Sequence, residues 1–540
     1  MFFGEIARVL NAYFWIFALI LVVPLVFSFL QGDAASTYAF FQTALVTMTV
    51  ATFFGLLGKG REGKLYKREG IILVAFIWFL TPFFGSLPFL FTGVLHDPAQ
   101  AYFEAASGFT TTGATVFEGK HFDANGKEEP IERAFEGIER VYYSYYGTVD
   151  PVKDKDGKIL LEGIEAVPKG LLFWRSMTQW LGGLGIMILF VAVLPAIGVG
   201  GKLLYQSEAT GPVKESFTPR IKETALRLWL IYVGFSLLQL GVMYLVKPDL
   251  PFFDAIILVF STISTGGFTI KNGNIAAYHS PGLEWVLIIF MVLGSINFAL
   301  YHYILKKRWN KLRDPELYLY LSILLIISCL ASWMLLGTTT HSLETGEQSG
   351  PLNWSDAIRL GTFQMISGIT STGYSISNYD YWPYEVQVLL LTVMYLGGMS
   401  GSTAGGLKIS RLLVLLRVCQ NKIETIFRPD TIRALRIGGK EVGEVASTNT
   451  LVFFFLFVAI SVMAVLFYTM EGIDPETSLG MIACNINNTG LAFRQAGPSN
   501  SFAFLSTQAL LLSSFWMILG RLELFVILVL FIPAFWREEY

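Results

Sequence analysis

Long apolar runs are the feature that most restricts what this 540-residue chain can fold into. The hydrocarbon core of a bilayer is about 30 Å thick and needs about 20 apolar residues in each helix that crosses it. Segments of this kind lie at residues 6–30, 38–58, 70–93, 171–195, 226–246, 283–305, 316–337, 385–416, 448–470 and 503–533. Charged residues form 15% of the chain, against about 25% of a soluble domain. The sequence therefore predicts an all-α polytopic membrane protein and excludes a disordered chain.

Basic residues are concentrated in every second connection between these apolar segments. The clusters lie at residues 59–68, 202–227, 306–313 and 408–440. Because Lys and Arg are retained on the cytoplasmic side of a membrane, the alternation places these clusters and both termini in the cytoplasm. Two termini on one side require an even number of spans, which agrees with about ten. Loops charged at random would not alternate in this way.

Several classes of function find no support in the residue pattern. The formal net charge of −2 gives no basic field of the kind that attracts nucleic acid. The three cysteines have neither a disulfide nor a metal-ligand spacing, and the five histidines are dispersed. No nucleophile is paired with a base, so we expect neither an enzyme nor a resident cofactor.

Four outward connections contain a short apolar segment that is unable to span the bilayer. They run over residues 96–113, 251–266, 353–373 and 474–490. Asp97 and Asp474 precede Pro, and Ser355 precedes Asp, in patterns that predict helix N-caps. Each segment ends in small polar residues and a glycine. The chain thus repeats a unit of span, short re-entrant helix, loop and span.

The loops that end these segments predict a site for a dehydrated monovalent cation. Irregular backbone at membrane depth is tolerated only where it is buried in protein or lines a water-filled cavity. Glycine lets successive carbonyl groups face one axis, and four such loops would form oxygen rings that replace a hydration shell. The alternative is four tight external turns between ordinary helices. The predicted filter residues are Thr111, Thr112, Gly113, Ser264, Thr265, Gly266, Ser371, Thr372, Gly373, Asn488, Thr489 and Gly490.

Several stretches of the sequence resemble the Trk/Ktr/HKT superfamily of potassium transporters. They are TTTGA at 110–114, STGGF at 264–268, STGY at 371–374, WRSMTQWLGGLG at 174–185 and GGMSGSTAGGLK at 397–408. The fourth loop, NTGLA at 488–492, is the least typical. The resemblance covers nearly the whole chain, and the two additional N-terminal spans resemble the bacterial TrkH branch.

The resemblance implies a pore-forming subunit of the bacterial inner membrane, embedded in lipid, that takes up potassium. It also implies a homodimer and a cytosolic TrkA-type regulatory subunit that binds a nucleotide. In the plant HKT branch a serine in place of the first filter glycine accompanies sodium preference, so Gly113 favours potassium. The implied domains are an N-terminal helix pair (1–62) and pore repeats at 63–200, 201–313, 314–440 and 441–540.

Residues 117–168 form an acidic insertion in the first repeat, which the charge pattern places outside the cell. The stretch from Asp154 to Lys158 predicts a hairpin turn within it. Two interpretations are open, a cap that concentrates cations at the pore mouth or a solvated loop.

The eighth predicted span is interrupted by a glycine-rich stretch at residues 397–406, which should not persist as a regular helix. The resemblance makes this stretch an intramembrane loop that obstructs the pore below the filter. The alternative is a kink that lets neighbouring helices pack closely. The predicted gate residues are Gly397, Gly398, Ser400, Gly401, Ser402, Thr403, Gly405, Gly406 and Arg521.

Arg521 belongs to the predicted gate because it lies inside the last apolar span. An Arg at the centre of a span costs ~2.5–3.5 kcal/mol on insertion scales and usually faces a cavity or a partner. We expect it to face the pore and to bond carbonyls or hydroxyls of the loop when the pore is closed. The alternative is a structural salt bridge.

Three classes of function are consistent with a polytopic membrane protein of this size. The first is a channel-like potassium-conducting subunit. The second is a symporter coupled to Na⁺ or H⁺ by alternating access, which usually has broken helices in inverted repeats. The charge pattern gives the repeats one orientation, which favours the first class. The third, a membrane-embedded enzyme, would need convergent His, Asp or Cys residues that the sequence does not offer.

Overall fold

A computed structural model describes residues 3–59, 67–123, 125–136, 140–183, 221–428, 435–438, 440–522 and 524–537. Parts of the predicted basic clusters, the second half of the span 171–195, Glu523 and the domain boundaries at positions 62 and 200 lie outside these ranges.

The described chain is mostly helical, as predicted. In order, the α-helices are α1 (Phe3–Leu30), α2 (Ala34–Leu57), α3 (Lys67–Phe91), α4 (Pro98–Phe109), α5 (Lys169–Gly183), α6 (Ile221–Val246), α7 (Phe252–Ile263), α8 (Pro281–Ser295), α9 (Phe298–Leu305), α10 (Pro315–Leu335), α11 (Trp354–Ile369), α12 (Tyr384–Tyr395), α13 (Ile409–Phe427), α14 (Glu444–Met470), α15 (Pro475–Asn487), α16 (Thr507–Leu522), α17 (Leu524–Leu528) and α18 (Pro533–Trp536).

The strands are short and pair as antiparallel hairpins. They are β1 (His121–Phe122), β2 (Glu128–Glu129), β3 (Ile131–Glu136), β4 (Arg140–Tyr145), β5 (Val152–Lys153), β6 (Ile159–Leu161), β7 (Arg436–Ile437) and β8 (Lys440–Glu441).

Six of the described helices are long and apolar enough to cross a membrane, and two bent pairs raise that number to as many as eight. The six are α1, α2, α3, α6, α10 and α14, and the bent pairs are α8–α9 and α16–α17. The apolar segment predicted at 283–305 is divided into two helices, because the chain turns by 92° between α8 and α9. The described part of α5 and the 12-residue α12 are shorter than a span. The total of ten spans therefore stays a prediction.

The four short helices α4, α7, α11 and α15 occupy the predicted positions. Asp97 and Asp474 cap α4 and α15, since their carboxylates accept hydrogen bonds from Ala99 N and Thr477 N at 2.9 Å. The prediction of Ser355 as the cap of α11 is wrong. Asn353 lies in extended backbone and its Oδ1 accepts from Asp356 N at 2.9 Å, which places Ser355 inside the first turn.

The packed core falls into two halves. One hydrophobic cluster is formed mainly by α1–α5 with α14–α17, and the other mainly by α6–α13. The first and fourth repeats therefore share one core with the N-terminal helix pair, while the second and third repeats share the other. This division brings residues from the two ends of the chain together on one side of the molecule.

The insertion at 117–168 forms hairpins that rest partly on other repeats. The predicted turn is confirmed, because Asp154 N donates to Lys158 O at 2.8 Å between β5 and β6. Tyr145 of β4 is buried with Ile131 against Phe504 of the fourth repeat. The hairpin β3–β4 is thus a packed element, whereas the β5–β6 hairpin is exposed to solvent.

Substitutions at the start of α11 test the assignment of Asn353 as its N-cap. Asn353→Ala should remove the bond to Asp356 N and destabilise the chain by about 1 kcal/mol, since a lost N-cap has that cost. Ser355→Ala is the matched control and should leave the thermal melting midpoint in detergent unchanged. A larger fall in the melting midpoint for Ser355→Ala than for Asn353→Ala would show that Ser355 is the cap, as predicted from sequence.

Candidate cation site and intramembrane loop

Each of the four short helices ends in the same backbone arrangement. A residue in the left-handed region follows the helix, and the next N–H donates to a carbonyl five residues earlier, as in a Schellman motif. The left-handed residues are Thr111 (φ 57°), Thr265 (53°), Ser371 (55°) and Asn488 (54°). The hydrogen bonds are Thr112 N to Ser107 O (2.9 Å), Gly266 N to Ser261 O (2.8 Å), Thr372 N to Ser367 O (3.0 Å) and Thr489 N to Cys484 O (3.0 Å). The four loops are therefore structural repeats.

This repeat corrects the register of the second loop by one residue. The glycine two positions after each left-handed residue also has positive φ, at Gly113 (89°), Gly267 (78°), Gly373 (88°) and Gly490 (69°). Gly267 is therefore the second-loop counterpart of Gly113 and Gly373, whereas the sequence had predicted Gly266 for that position. Ser264 is the C-cap of α7. The error arose because Ser-Thr-Gly occurs in the second and third loops, but the second loop continues with another glycine.

The four loops close a ring around one axis. A methyl group on each repeated glycine would collide with a carbonyl oxygen of the next loop. The pairs are Gly113 with Gly266 O (2.3 Å), Gly267 with Thr372 O (1.7 Å), Gly373 with Thr489 O (2.5 Å) and Gly490 with Thr112 O (2.6 Å). The contacts pass from the first loop to the second, third and fourth and then back to the first. The structure thus brings the four predicted loops together, and only glycine fits where they meet.

Gln179 of α5 holds the second loop, a role that sequence reasoning missed. Its Nε2 donates to Gly266 O at 2.6 Å, and its Oε1 accepts from Phe268 N at 3.0 Å. The Asn488 side chain makes a comparable link, since its Nδ2 donates to Thr112 Oγ1 at 2.9 Å. A glutamine within a predicted span was the signal available, because a buried amide needs partners.

A buried ion pair joins the segments that follow the first and second loops. Arg175 Nε lies 2.6 Å from Glu104 Oε1, and both side chains are buried. Arg175 Nη1 also donates to Thr269 O at 2.9 Å, and its guanidinium lies 3.5 Å from the centre of the Phe268 ring. Glu104 accepts from Val116 N at 2.9 Å. The pair therefore fixes the backbone that leaves each of these two loops.

A second polar cluster joins the third and fourth loops. The Asp380 carboxylate accepts from Arg494 N at 3.1 Å, while Arg494 Nη1 donates back to Asp380 O at 3.0 Å. Tyr379 donates to Ala492 O at 2.7 Å, and Glu476 pairs with Arg494. Burial raises the pKa of Asp380 to about 7, although the hydrogen bond from Arg494 opposes that rise.

The glycine-rich stretch at 397–406 forms a loop whose ends are tied together. Gly397 N donates to Leu407 O at 2.9 Å where the chain leaves α12 and returns toward α13. The loop reaches two of the four loops of the ring, because Gly405 N donates to Ser371 Oγ at 2.6 Å and Thr265 Oγ1 lies 3.2 Å from Thr403 Oγ1. Two of the predicted gate residues, Thr403 and Gly405, therefore lie directly against the ring.

The break between α8 and α9 accommodates this loop. Met399 N donates to Ser295 O at 3.0 Å, and Thr403 N donates to Gly294 O at 3.3 Å. In return, Phe298 N at the start of α9 donates to Gly401 O at 3.1 Å. Two interrupted helices thus satisfy each other's free backbone groups, as apolar surroundings require.

Arg521 connects the loop to the first repeat. Its Nη1 donates to Thr403 O at 2.7 Å. Its Nη2 donates to Gly182 O at 2.7 Å and to Gly183 O at 2.6 Å at the end of α5. The predicted bond to a carbonyl of the loop is therefore present.

The chain is similar to known cation transport proteins. It matches the TrkH family profile, described as "Cation transport protein", over residues 154–538. The Trk system potassium uptake protein TrkH of Halomonas elongata is 30% identical over 540 residues, which is 99% of each chain. The TrkG protein of Escherichia coli K12 is 29% identical over 97% of this chain and 96% of its own length. The crystal structure of the potassium transporter TrkH from Vibrio parahaemolyticus superposes with a TM-score of 0.79 at 26% identity, covering 99% of this chain and 100% of that one.

The corrected register predicts different outcomes for two adjacent glycines. Gly267→Ala places its methyl on a backbone oxygen and adds a left-handed strain of about 1–2 kcal/mol, so the melting midpoint should fall and no side-chain change should restore it. Gly266→Ala meets only the Gln179 side chain, at 2.4 Å. Measured in a Gln179→Ala background, Gly266→Ala should therefore cost less stability than it costs in the wild type. An equal reduction for Gly267→Ala would contradict the register.

Proposed function

Since this chain belongs to the TrkH family of cation transport proteins, we propose that it takes up potassium through the ring formed by its four loops. The observation that carries the proposal is the closed cycle of glycine–carbonyl contacts among these loops. The named relatives are potassium uptake proteins of Trk systems, which supports the choice of ion. The chain acts as a transporter and not as an enzyme.

The chemistry of the ring suits a potassium ion. The loops offer peptide carbonyls and the hydroxyls of Thr and Ser, and the stretches 110–114, 264–268, 370–374 and 487–491 contain no charged residue. Neutral oxygens can replace the hydration shell of a monovalent cation at low cost. The direct contacts between loops hold the oxygens at fixed separations, and fixed separations favour one ionic radius over another.

We propose that the loop at 397–406 obstructs the path on the cytoplasmic side of the filter. Its hydrogen bonds to Ser371 and its contact with Thr265 place it against the ring. Arg521 holds the loop through Thr403 O, and its positive charge opposes the passage of a cation. Opening requires the loop to leave these partners.

The remaining features of the proposal concern the assembly. The chain lies in the bacterial inner membrane among lipids with both termini in the cytoplasm, and it forms a homodimer. A cytosolic TrkA-type subunit that binds a nucleotide regulates it, and the basic stretch at 422–440 is a candidate surface for that contact. The Trk system names of the relatives are consistent with a system of several components.

A symporter coupled to Na⁺ or H⁺ is the second candidate. The observation that favours it is the pair of broken helices, α8–α9 and α12–α13, since interrupted helices are typical of secondary transporters. Flux that follows an imposed proton or sodium gradient against the potassium gradient would select this candidate.

Ion flux into liposomes that contain the purified chain tests the filter. K⁺ and Rb⁺ should pass in preference to Na⁺. Gly113→Ser should lower the K⁺/Na⁺ flux ratio about tenfold, the effect of losing about 1.4 kcal/mol of discrimination, because its side chain would displace Gly266 O.

Gly337→Ser is the matched control, since Gly337 also has positive φ but no neighbour within 4 Å of an added Cβ. It should keep the wild-type ratio. Absence of monovalent cation flux, with or without a regulatory partner, would overturn the proposal. An unchanged ratio in Gly113→Ser would remove Gly113 from the filter.

The role of Arg521 is tested in the same assay. Arg521→Ala removes the hydrogen bonds to Thr403 O, Gly182 O and Gly183 O, and one bond to a charged group is worth ~1.5–3 kcal/mol. The open population and the Rb⁺ flux should therefore rise about tenfold or more. Arg359→Ala, which breaks the ion pair with Glu284, is the control and should leave flux unchanged. Equal flux in wild type and Arg521→Ala, at equal protein levels, would make Arg521 a purely structural residue.

A further inference from the structure

The first turn of α10 contains a glutamate, Glu316, whose carboxylate does not cap the helix to which it belongs. Asp314 caps α10 by accepting from Glu316 N at 2.9 Å, and Pro315 takes the first helical position. The Glu316 side chain is instead directed to the intramembrane loop. It is 8% exposed, and burial of a carboxylate is unfavourable unless strong partners compensate.

The partners of Glu316 are the two limbs of that loop. Its Oε1 accepts from Ser400 N at 2.7 Å and from Ser410 N at 3.1 Å. Ser400 lies on the limb that leaves α12, and Ser410 lies in the first turn of α13. Glu316 Oε1 therefore bonds both the limb that leaves α12 and the limb that returns into α13, and it fixes the distance between them.

The surrounding groups reinforce this bond. The carboxylate lies at the N-terminus of α13, where the helix dipole favours negative charge. Lys408 lies near enough to attract Glu316, and its Nζ donates to Ala404 O within the loop. The Ser400 and Ser410 hydroxyls bond each other beside the carboxylate. These contacts hold the base of the loop, whereas Arg521 and Ser371 hold its tip.

The other side of this helix start touches the cytoplasmic segment between repeats three and four. A methyl group on Gly438, in the β7–β8 hairpin, would lie 2.9 Å from Pro315 Cγ, so the hairpin packs directly on the residue before Glu316. The basic connection at 306–313 leads into Asp314. Glu316 therefore stands between the cytoplasmic surface and the loop.

We propose that Glu316 is the anchor that keeps the loop at 397–406 closed, and that the loop opens when the bonds from Ser400 N and Ser410 N to this carboxylate are released. The inference rests on the proposed function of the loop as a gate. Glu316 acts on conduction through the loop, so it is a positioning residue without contact with the ion.

Two measurements on the full-length chain test this anchor. The first is Rb⁺ and Na⁺ flux into liposomes without a regulatory partner. The second is the rate at which a thiol reagent modifies Ser402→Cys in a background of Cys329→Ser and Cys419→Ser, since both of those cysteines are exposed. The variants are Glu316→Ala, Glu316→Gln and Glu444→Ala. Glu444 is the control because it occupies the first turn of α14 and is exposed.

Glu316→Ala should raise Rb⁺ flux about tenfold and accelerate the modification of Ser402→Cys by a similar factor, since both follow the open population. The Rb⁺/Na⁺ ratio should stay unchanged, because the filter contacts are intact. Glu316→Gln keeps Oε1 but loses the charge, so its effects should be smaller and in the same direction. Glu444→Ala should match the wild type in both measurements.

Unchanged flux and unchanged modification in both Glu316 variants would overturn the anchor while leaving the conduction proposal in place. Glu316→Gln preserves the size of the side chain, so it decides the matter if Glu316→Ala fails to fold. A fall in the Rb⁺/Na⁺ ratio without faster modification would also overturn it, because that pattern indicates a damaged filter. Absence of flux in wild type and Arg521→Ala would overturn the conduction proposal, and the modification rates would then still judge the anchor.

Discussion

The contact between a glycine of one loop and a carbonyl oxygen of the next is the interaction on which the rest of the structure depends. It occurs once in each repeat, and each occurrence leaves no room for a Cβ atom. The short helices present these loops with one common Schellman ending. Buried ionic and polar clusters, at Glu104 with Arg175 and at Asp380 with Arg494, then hold the backbone beyond the loops. The surrounding spans supply the apolar walls.

Satisfying the backbone groups in an apolar environment explains why irregular segments occur in pairs. The loop at 397–406 interrupts one helix, and the turn between α8 and α9 interrupts another at the same place. Each gap supplies donors or acceptors that the other gap lacks, as at Met399 N and Ser295 O. Neither interruption would be tolerable alone, because free N–H and C=O groups in hydrocarbon cost several kcal/mol each. The irregular loop and the bent helix are therefore a single structural unit.

Much of this architecture could be predicted from the sequence because its signals are local. Asp-Pro marks the starts of α4 and α15, and the glycine-rich composition marks the break after α12. The errors occurred where tertiary contacts decide. Asn353 and Ser355 are both good caps, and only the backbone shows which side chain reaches Asp356 N. The bend after Ser295 has no strong local signal, since the apolar run continues through it and its partner lies about a hundred residues away.

Local sequence signals also could not predict the register of the second loop or the roles of Gln179 and Glu316. Gly266 and Gly267 are equivalent by composition, and φ angles distinguish them only once the loops have met. Gln179 and Glu316 lie in the sequence beside apolar residues with nothing to identify their partners, which are backbone atoms of segments far along the chain. A carbonyl or N–H partner leaves no mark on composition, so pattern analysis finds the polar side chain and not the backbone atom that it bonds.

The meeting of the first and fourth repeats has a consequence for how the protein is made. Gly490 lies against Thr112 O, and Phe502 N donates to Thr115 O at 2.8 Å, so residues near the end of synthesis complete a ring begun by residues near its start. A nascent chain that has inserted three repeats has an open gap on one side of the ring. The ring of loops then closes only after the last segment has joined the others. Unfinished or truncated chains consequently lack one side of the ring and leave the matching surface of the first repeat uncovered.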